Sequence, residues 1–598
     1  MNKKLKNRKD IEKKYKWDIE SMYPDESYWG KDIDSALKKA EDLQSFRGRL
    51  TESSGTLLAA FRSRDSMWQI LEKAFVYARM RRDEDNSNEK YQAMSDKSQA
   101  AIAKVSAMTS FFIPELLLES KENLLDFIDD RSGLETYRFA ILDTLREKEH
   151  VLSEPQENIM AQMSEVTSAT SDIFTMLNNA DIKFGSIKDE NGEEVQLTHG
   201  NYINFMESHD RGVRRSAYEN TYNAYRSLIN TVAAAYNYNT KTDVVSSRIR
   251  KYPSARAAAL SGDNIPESVY DNLVKTVNDN LPVLHSYIDM RKKILGLDNL
   301  MVHDVYVPLV ELPEKKVTFD EAISMMEKGL APLGSSYISD MKAGVSDGWI
   351  DIYENEGKTS GAYSFGSYDS KPFILLNYTD TLKDVFTIVH EMGHSMHSFY
   401  TRRAQPFIYG SHSIFTAEVA STVNENLLMK YLLKEEKDPQ MKKYLLNMHI
   451  EEFRTTLFRQ TMFAEFEQIT HEAIEQGGTL TAQWMCDEYD KLNRKYFGPA
   501  LTQDDMIRYE WARIPHFYNA FYVYKYATGY SAAAAISDLI LSGDISAQKN
   551  YLEFLKTGES DYPVELLKIA GVDMSTPEPV EMAMTAFKNL VEEFGSLV

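Results

Sequence analysis

The chain has 598 residues and a single cysteine, Cys486. One thiol cannot form an internal disulfide, so nothing points to an oxidising compartment. Cys486 stands in Gln483-Trp484-Met485-Cys486-Asp487-Glu488-Tyr489 without a partnered base, which reads as a packed, inert thiol. Long apolar runs are missing too. The most apolar late segment, Ala532 to Leu541, is short and broken by Asp538, so no membrane span is expected. The first ten residues are basic but no apolar stretch follows them, so a secretory signal is not expected there. A cytoplasmic protein is the expectation. Positive charge is scarce: 68 Lys and Arg against 90 Asp and Glu leave a net charge of -22. That field disfavours nucleic acid and anionic membrane surfaces as partners and favours solubility. Low-complexity tracts and a fixed-period repeat are also lacking. With 43% hydrophobic and 26% charged residues, the chain has the means to bury a core.

Most of the sequence carries apolar residues at three- and four-residue spacing, as in Lys383–Tyr400, Lys442–Glu475 and Val564–Ile569. That spacing predicts helices, and hence a mostly α fold. Two segments break the pattern. Ile182–Leu197 holds Asn191-Gly192 between short alternating runs and predicts a β-hairpin. Gly361–Tyr378 is rich in Gly, Ser and aromatics and ends in Phe373-Ile374-Leu375-Leu376, which predicts a strand directly before the next helix. The hairpin marks a soft boundary between a helical lobe, 1–195, and a domain, 196–598, that holds the chemical signals.

The strongest of these is His390-Glu391-Met392-Gly393-His394. On a helix the two histidines lie about 40° apart around the axis and about 6 Å apart along it, so both imidazoles can meet one ion. Glu391 lies about 100° round from His390, on the flank, where it can reach a metal-bound water without being a ligand. Thr381-Leu382-Lys383-Asp384 has capping-box form and starts the helix. Gly393 costs the helix about 1 kcal/mol relative to alanine. Something that approaches the backbone closely there would account for it. A third ligand is required, and His397, His412 and Glu418 are the candidates. His397 shares the helical stripe but lies about 10 Å along the axis from His390, too far to converge on the same ion. His412 falls in a loop-like segment. Glu418 sits among small and apolar residues, where a buried carboxylate needs a positive partner such as Zn²⁺. Glu425, seven residues on, is on the same face and is either an acceptor for a ligand histidine or a surface residue.

These residues, together with Gln405-Pro406-Phe407-Ile408-Tyr409-Gly410, Phe415-Thr416-Ala417-Glu418-Val419-Ala420-Ser421-Thr422, Lys495-Tyr496-Phe497-Gly498-Pro499 and Trp511-Ala512-Arg513-Ile514-Pro515-His516-Phe517-Tyr518, resemble oligoendopeptidase F, a branch of the thimet-oligopeptidase-like zinc peptidases. The resemblance implies a large two-lobed, clam-like helical peptidase with a deep channel and a small β element beside the motif helix. It implies one Zn²⁺ per chain held by His390, His394 and Glu418. It also implies that a late segment contributes substrate-binding residues, here His516, Tyr522 and Tyr524; a plain aromatic core is the competing reading for that stretch.

The expected reaction is hydrolysis of internal peptide bonds in short to medium oligopeptides. Glu391 takes the proton of the zinc-bound water and delivers it to the leaving amine, and a donor from His516, Tyr522 or Tyr524 helps the zinc hold the oxyanion. Two rivals remain. An exopeptidase on the same metal would need a fixed cation for the substrate's terminal carboxylate, with Arg513 as the candidate. A non-enzymatic binding protein would carry the motif as a relic, against the presence of His390, Glu391, His394 and Glu418 together.

Overall fold

The computed structural model describes residues 5–130, 133–311 and 316–598. Residues 1–4, at the head of the basic N-terminal stretch, lie outside them. The chain is mostly helical and divides into two compact units, each gathered from three stretches. The first comprises Met1–Lys148, Lys315–Tyr431 and Ile536–Gly571; the second comprises Glu149–Glu314, Leu432–Ala535 and Val572–Val598.

The first unit starts from three long packed helices, Glu26–Leu43, Ser54–Glu84 and Glu89–Thr109. Each is opened by a polar cap: Asp25, Ser53 and Asn88 accept backbone N–H bonds from the first turn. Their apolar stripes, with Trp17, Ile33, Leu71, Tyr77, Met94 and Val105, close over Phe373 and Leu375 in one core. The stretch Glu89–Leu118 is long and apolar enough by length and composition to cross a membrane. Its Met94, Ala101 and Val105 pack into this core, and its Phe112 and Leu116 into a second one with Phe61 and Ile141.

Phe373–Leu375 is the expected strand, buried along its length. It is the middle of three: Ile350–Asp351 pairs with it in parallel and Tyr363–Phe365 antiparallel, with Ser364 opposite Ile374. The sheet is anchored by a buried charge. Asp351 is 1% exposed and meets Lys358 Nζ at 2.7 Å and Arg8 Nη1 at 2.7 Å. Arg8 also pairs with Glu84, so the N-terminal segment, the long helix and the sheet share one ionic knot.

The second unit is organised by Arg211–Ile249, a 39-residue helix capped by Asp210. Tyr218, Tyr222, Tyr225 and Tyr236 line its buried side. The expected hairpin is present: Ser186–Lys188 pairs antiparallel with Glu194–Gln196, and Gly192 supplies the positive φ of +81°. The periodic stretch 442–475 is not one unbroken helix. It is Pro439–Glu452, a wide π turn over Phe453–Phe458, then Arg459–Glu475. At that turn the buried Arg454 reaches back to Glu451, with Nε 2.8 Å from Oε2.

Candidate metal centre

The motif helix runs Leu382–Ala404 in the first unit. The Thr381–Asp384 capping box closes as expected: Asp384 N–H donates to Thr381 Oγ1 at 3.2 Å, and Thr381 N–H donates to Asp384 Oδ2 at 3.0 Å. Val385, Ile388, Val389, Met392 and Met396 bury its inner face. Across it lies the helix Ile414–Glu435. The two come into backbone contact at Gly393, where a Cβ would lie 2.5 Å from Ser421 Cα and 2.7 Å from the Ala420 carbonyl oxygen. The helix-weakening glycine is thus explained by packing: its bare backbone lets the second helix come close enough to present Glu418. Asn424 reinforces the crossing by donating to the Val389 carbonyl oxygen at 3.4 Å.

Three side-chain atoms converge there. His390 Nε2 and His394 Nε2 are 3.2 Å apart, and Glu418 Oε2 lies 3.5 Å from the first and 3.7 Å from the second. A tetrahedral ion with bonds of about 2.0–2.1 Å holds its ligands about 3.3–3.4 Å apart, so this triangle fits the three protein ligands of a catalytic zinc. Among the described residues this is the group of three or more His, Cys, Asp or Glu that could hold a metal ion. His390 Nδ1 faces Glu425 Oε1 at 3.2 Å, which turns Nε2 toward His394 and Glu418. Of the two readings of Glu425, the acceptor role matches the geometry. Glu418 itself is less buried than its apolar neighbours imply: 37% of its side chain is exposed. What holds its carboxylate is the facing imidazoles and the Ser421 hydroxyl, which donates to Oε2 at 3.4 Å.

Burial and neighbouring charge set the protonation pattern. Burial disfavours the His390 cation, but the Glu425 hydrogen bond and the charges of Glu425, Glu391 and Glu418 outweigh it and raise its pKa. His394 moves the opposite way, lowered by burial and then by His390. Two imidazole nitrogens at this distance cannot both be cationic. Glu391 is 8% exposed, and burial lifts its carboxyl to about 7 against the pull of His390. The backbone of Ser364, in the outer strand of the sheet, opposes that rise. The same residue's hydroxyl lies 2.8 Å from Ser395 Oγ, which pins strand to helix beside Glu391.

The other two ligand candidates are elsewhere in this unit. His397 is 2% exposed and its ring packs on His412 at 3.7 Å between centroids, with Phe554 at 5.3 Å. His412 Nε2 is 3.1 Å from Thr401 Oγ1. Burial lowers both pKa values, which keeps the two rings neutral in their edge-to-face contact.

His516, Tyr522 and Tyr524 belong to the second unit. His516 stacks on Tyr522 at 6.0 Å between centroids and meets Tyr526, whose hydroxyl is 3.4 Å from His516 Nε2. Tyr524 departs from the sequence reading. It is fully buried, with its ring against Tyr270 at 5.2 Å, so it is a core residue, and the ring that completes the cluster is Tyr526. Ten residues separate Tyr526 from His516, and no helical spacing flags the pair. Arg513, the cation an exopeptidase would need, lies over the Tyr202 ring at 5.1 Å within the field of Glu510.

The family model for Peptidase family M3 matches residues 204–586, and that for Oligopeptidase F matches residues 115–184. The chain is 45% identical to Oligopeptidase PepF of Bacillus subtilis, over 99% of this chain and 89% of that one. It is 42% identical to Group B oligopeptidase PepB of Streptococcus agalactiae, over 99% and 98%. The crystal structure of oligoendopeptidase-F from Enterococcus faecium superposes with a TM-score of 0.75 at 38% identity, covering 96% of this chain and 98% of that one.

Proposed function

Since the chain belongs to Peptidase family M3, whose members are metallo-oligopeptidases, we propose that it is a zinc-dependent endopeptidase that cleaves internal bonds of short to medium oligopeptides. The observation that carries this reading is the triangle of His390, His394 and Glu418 with Glu391 beside it. Zinc, when bound there, polarises the scissile carbonyl and lowers the pKa of water. The Glu391 carboxylate accepts a proton from the attacking water as the new C–O bond forms. It returns that proton to the amine nitrogen as the C–N bond breaks. Glu425 keeps His390 in the tautomer that presents Nε2, and Ser364 keeps Glu391 oriented. The outer strand Tyr363–Phe365 offers an extended peptide a backbone edge beside Glu391. His516, Tyr522 and Tyr526 are the proposed substrate contacts of the second unit, and 196–598 is the proposed catalytic domain. The acidic surface and the lone buried thiol support a cytoplasmic location.

A length series of internally quenched peptides, assayed with and without a chelator, tests this. Loss of turnover with chelator, recovery with Zn²⁺, steep decline with length and cuts inside the peptide are expected. Release of one or two residues from a single terminus would replace the endopeptidase reading with the exopeptidase one.

A further inference from the structure

Phe521 has φ +52°, in the left-handed region. For an aromatic residue that conformation is costly and persists only where its surroundings over-determine it. Two features do so here. The Phe521 ring is 2% exposed and packs on His471 at 4.6 Å and Tyr270 at 5.8 Å. Its N–H donates to Glu467 Oε1 at 2.6 Å. Glu467, on helix Arg459–Glu475, is fully buried, and its second oxygen, Oε2, has no hydrogen-bond partner among the described residues. A carboxyl group enclosed with one oxygen unanswered is an expensive way to fill a core, and an apolar side chain would be cheaper. Its neighbour His471 is engaged elsewhere, with Nδ1 2.8 Å from the Glu467 carbonyl oxygen and Nε2 3.3 Å from Asp243.

What the turn achieves is visible on either side of it. His516 lies in the short 3-10 turn Pro515–Tyr518, and the helix Tyr524–Leu541 follows. In one unbroken helix, His516 and Tyr522 would point about 120° apart and lie about 9 Å apart along the axis, and Tyr526 would lie about 15 Å from His516. Instead the three rings gather with centroids 5.5 to 6.0 Å apart. The reversal at Phe521 brings them together.

We propose that Glu467 is a positioning residue: by accepting the Phe521 N–H it locks the left-handed turn that assembles His516, Tyr522 and Tyr526 into one substrate-facing cluster. This rests on the reading that the cluster contacts substrate. Burial raises the Glu467 carboxyl to about 8 against the opposing charge of His471, so an uncharged acceptor can serve the same bond.

The test compares kcat and KM on one quenched peptide for Glu467→Leu, Glu467→Gln, His516→Ala and Tyr522→Phe, with bound metal and Tm measured on each. Thr470→Val, a core change on the same helix, reports general loosening. Glu467→Leu is expected to lose roughly 10-fold or more in kcat/KM with metal retained, as misplaced binding groups do. Glu467→Gln, which keeps the acceptor, should restore it, and Thr470→Val should not imitate the loss. Parent-like kcat/KM in Glu467→Leu, alongside impaired His516→Ala and Tyr522→Phe, overturns the positioning role alone. Parent-like rates in His516→Ala and Tyr522→Phe overturn the cluster reading and the proposal with it. If Glu467→Leu does not fold, Phe521→Gly and Phe521→Ala decide the matter. Both lose the ring, but only glycine adopts the turn freely. Faster turnover in the glycine variant supports the role of the turn, and equal rates refute it.

Discussion

The polar cluster of the first unit and the aromatic cluster of the second are held by different forces. In the first, donor atoms 3.2 to 3.7 Å apart face one another, two of them on neighbouring turns of one helix and the third on a helix that crosses at Gly393. Electrostatics holds that arrangement, and two of the three side chains have a backing contact: Glu425 behind His390, Ser421 behind Glu418. In the second, ring centroids lie 5.5 to 6.0 Å apart, and the arrangement depends on one residue with φ +52° over a buried carboxyl group. A site built on helix phase withstands a change in a side chain that only lines it. A site built on a strained turn depends on the groups that hold the turn. The difference predicts how each region breaks.

The largest effect should come from Glu391→Gln. Turnover should fall about 10²–10⁴-fold, as on loss of a general base, while metal content and Tm stay near parent values. Steady-state kinetics with metal analysis checks this, and a near-normal rate in a metal-loaded variant contradicts the role.

Next is the ionic knot under the sheet. Lys358→Met leaves Asp351 buried with Arg8 alone and should destabilise the first unit by about 3–5 kcal/mol in denaturant unfolding. Burial raises the Asp351 pKa, but Lys358 and Arg8 outweigh it, and the net shift is downward. Lys358 is also shifted down, by burial first. The acid's direction governs stability, because Asp351 has two cations while Lys358 shares its acid with Arg8. A depressed acid contributes fully above its unfolded pKa of about 3.9 and loses that contribution as pH falls through the lower folded value. The parent should therefore lose stability below about pH 4 more steeply than Asp351→Asn does.

Gly393→Ala sharpens the comparison from the metal side. The new Cβ would meet backbone of the crossing helix, which cannot rotate away. A stability loss of about 1–3 kcal/mol and weaker metal retention are expected. Unchanged metal affinity would separate the helix crossing from the ligand set.

The smallest effects concern the late tyrosines. Tyr526→Phe should lower kcat/KM by about 3- to 10-fold if its hydroxyl serves the cluster, on the scale of one hydrogen bond. Tyr524→Phe should act on stability and leave kcat/KM near the parent value. The reverse pattern would restore Tyr524 to the substrate.

Much of the first cluster was legible because helix phase is local. The one- and four-residue offsets of Glu391 and His394, the capping box, and the axial distance that separates His397 all follow from 3.6 residues per turn. Gly393 was legible as an anomaly but not as a crossing point, because the partner backbone comes from Ser421, 28 residues away. The small and apolar neighbours of Glu418 predict deep burial. The structure gives it a partly exposed carboxylate held by its facing groups, which a local reading of apolar neighbours cannot see. The resemblance implies Tyr524 as a partner of His516, whereas the structure puts Tyr526 there; a single left-handed residue resets the phase and leaves no compositional mark when that residue is phenylalanine. The strand Phe373–Leu375 and the 182–197 hairpin followed from their turn residues and apolar runs, while the π turn at Phe453–Phe458 interrupts a stretch whose periodicity looked continuous.

The most direct test of the account is metal content after dialysis against a mild chelator, measured side by side on the parent, Glu418→Ala and His397→Ala. Glu418 Oε2 lies 3.5 and 3.7 Å from the Nε2 atoms of His390 and His394, whereas the His397 ring packs edge-to-face against His412. Parent and His397→Ala should keep about one zinc per chain while Glu418→Ala loses it, since two protein ligands fall short of the three a catalytic zinc keeps. Zinc retained by Glu418→Ala and lost from His397→Ala would contradict it.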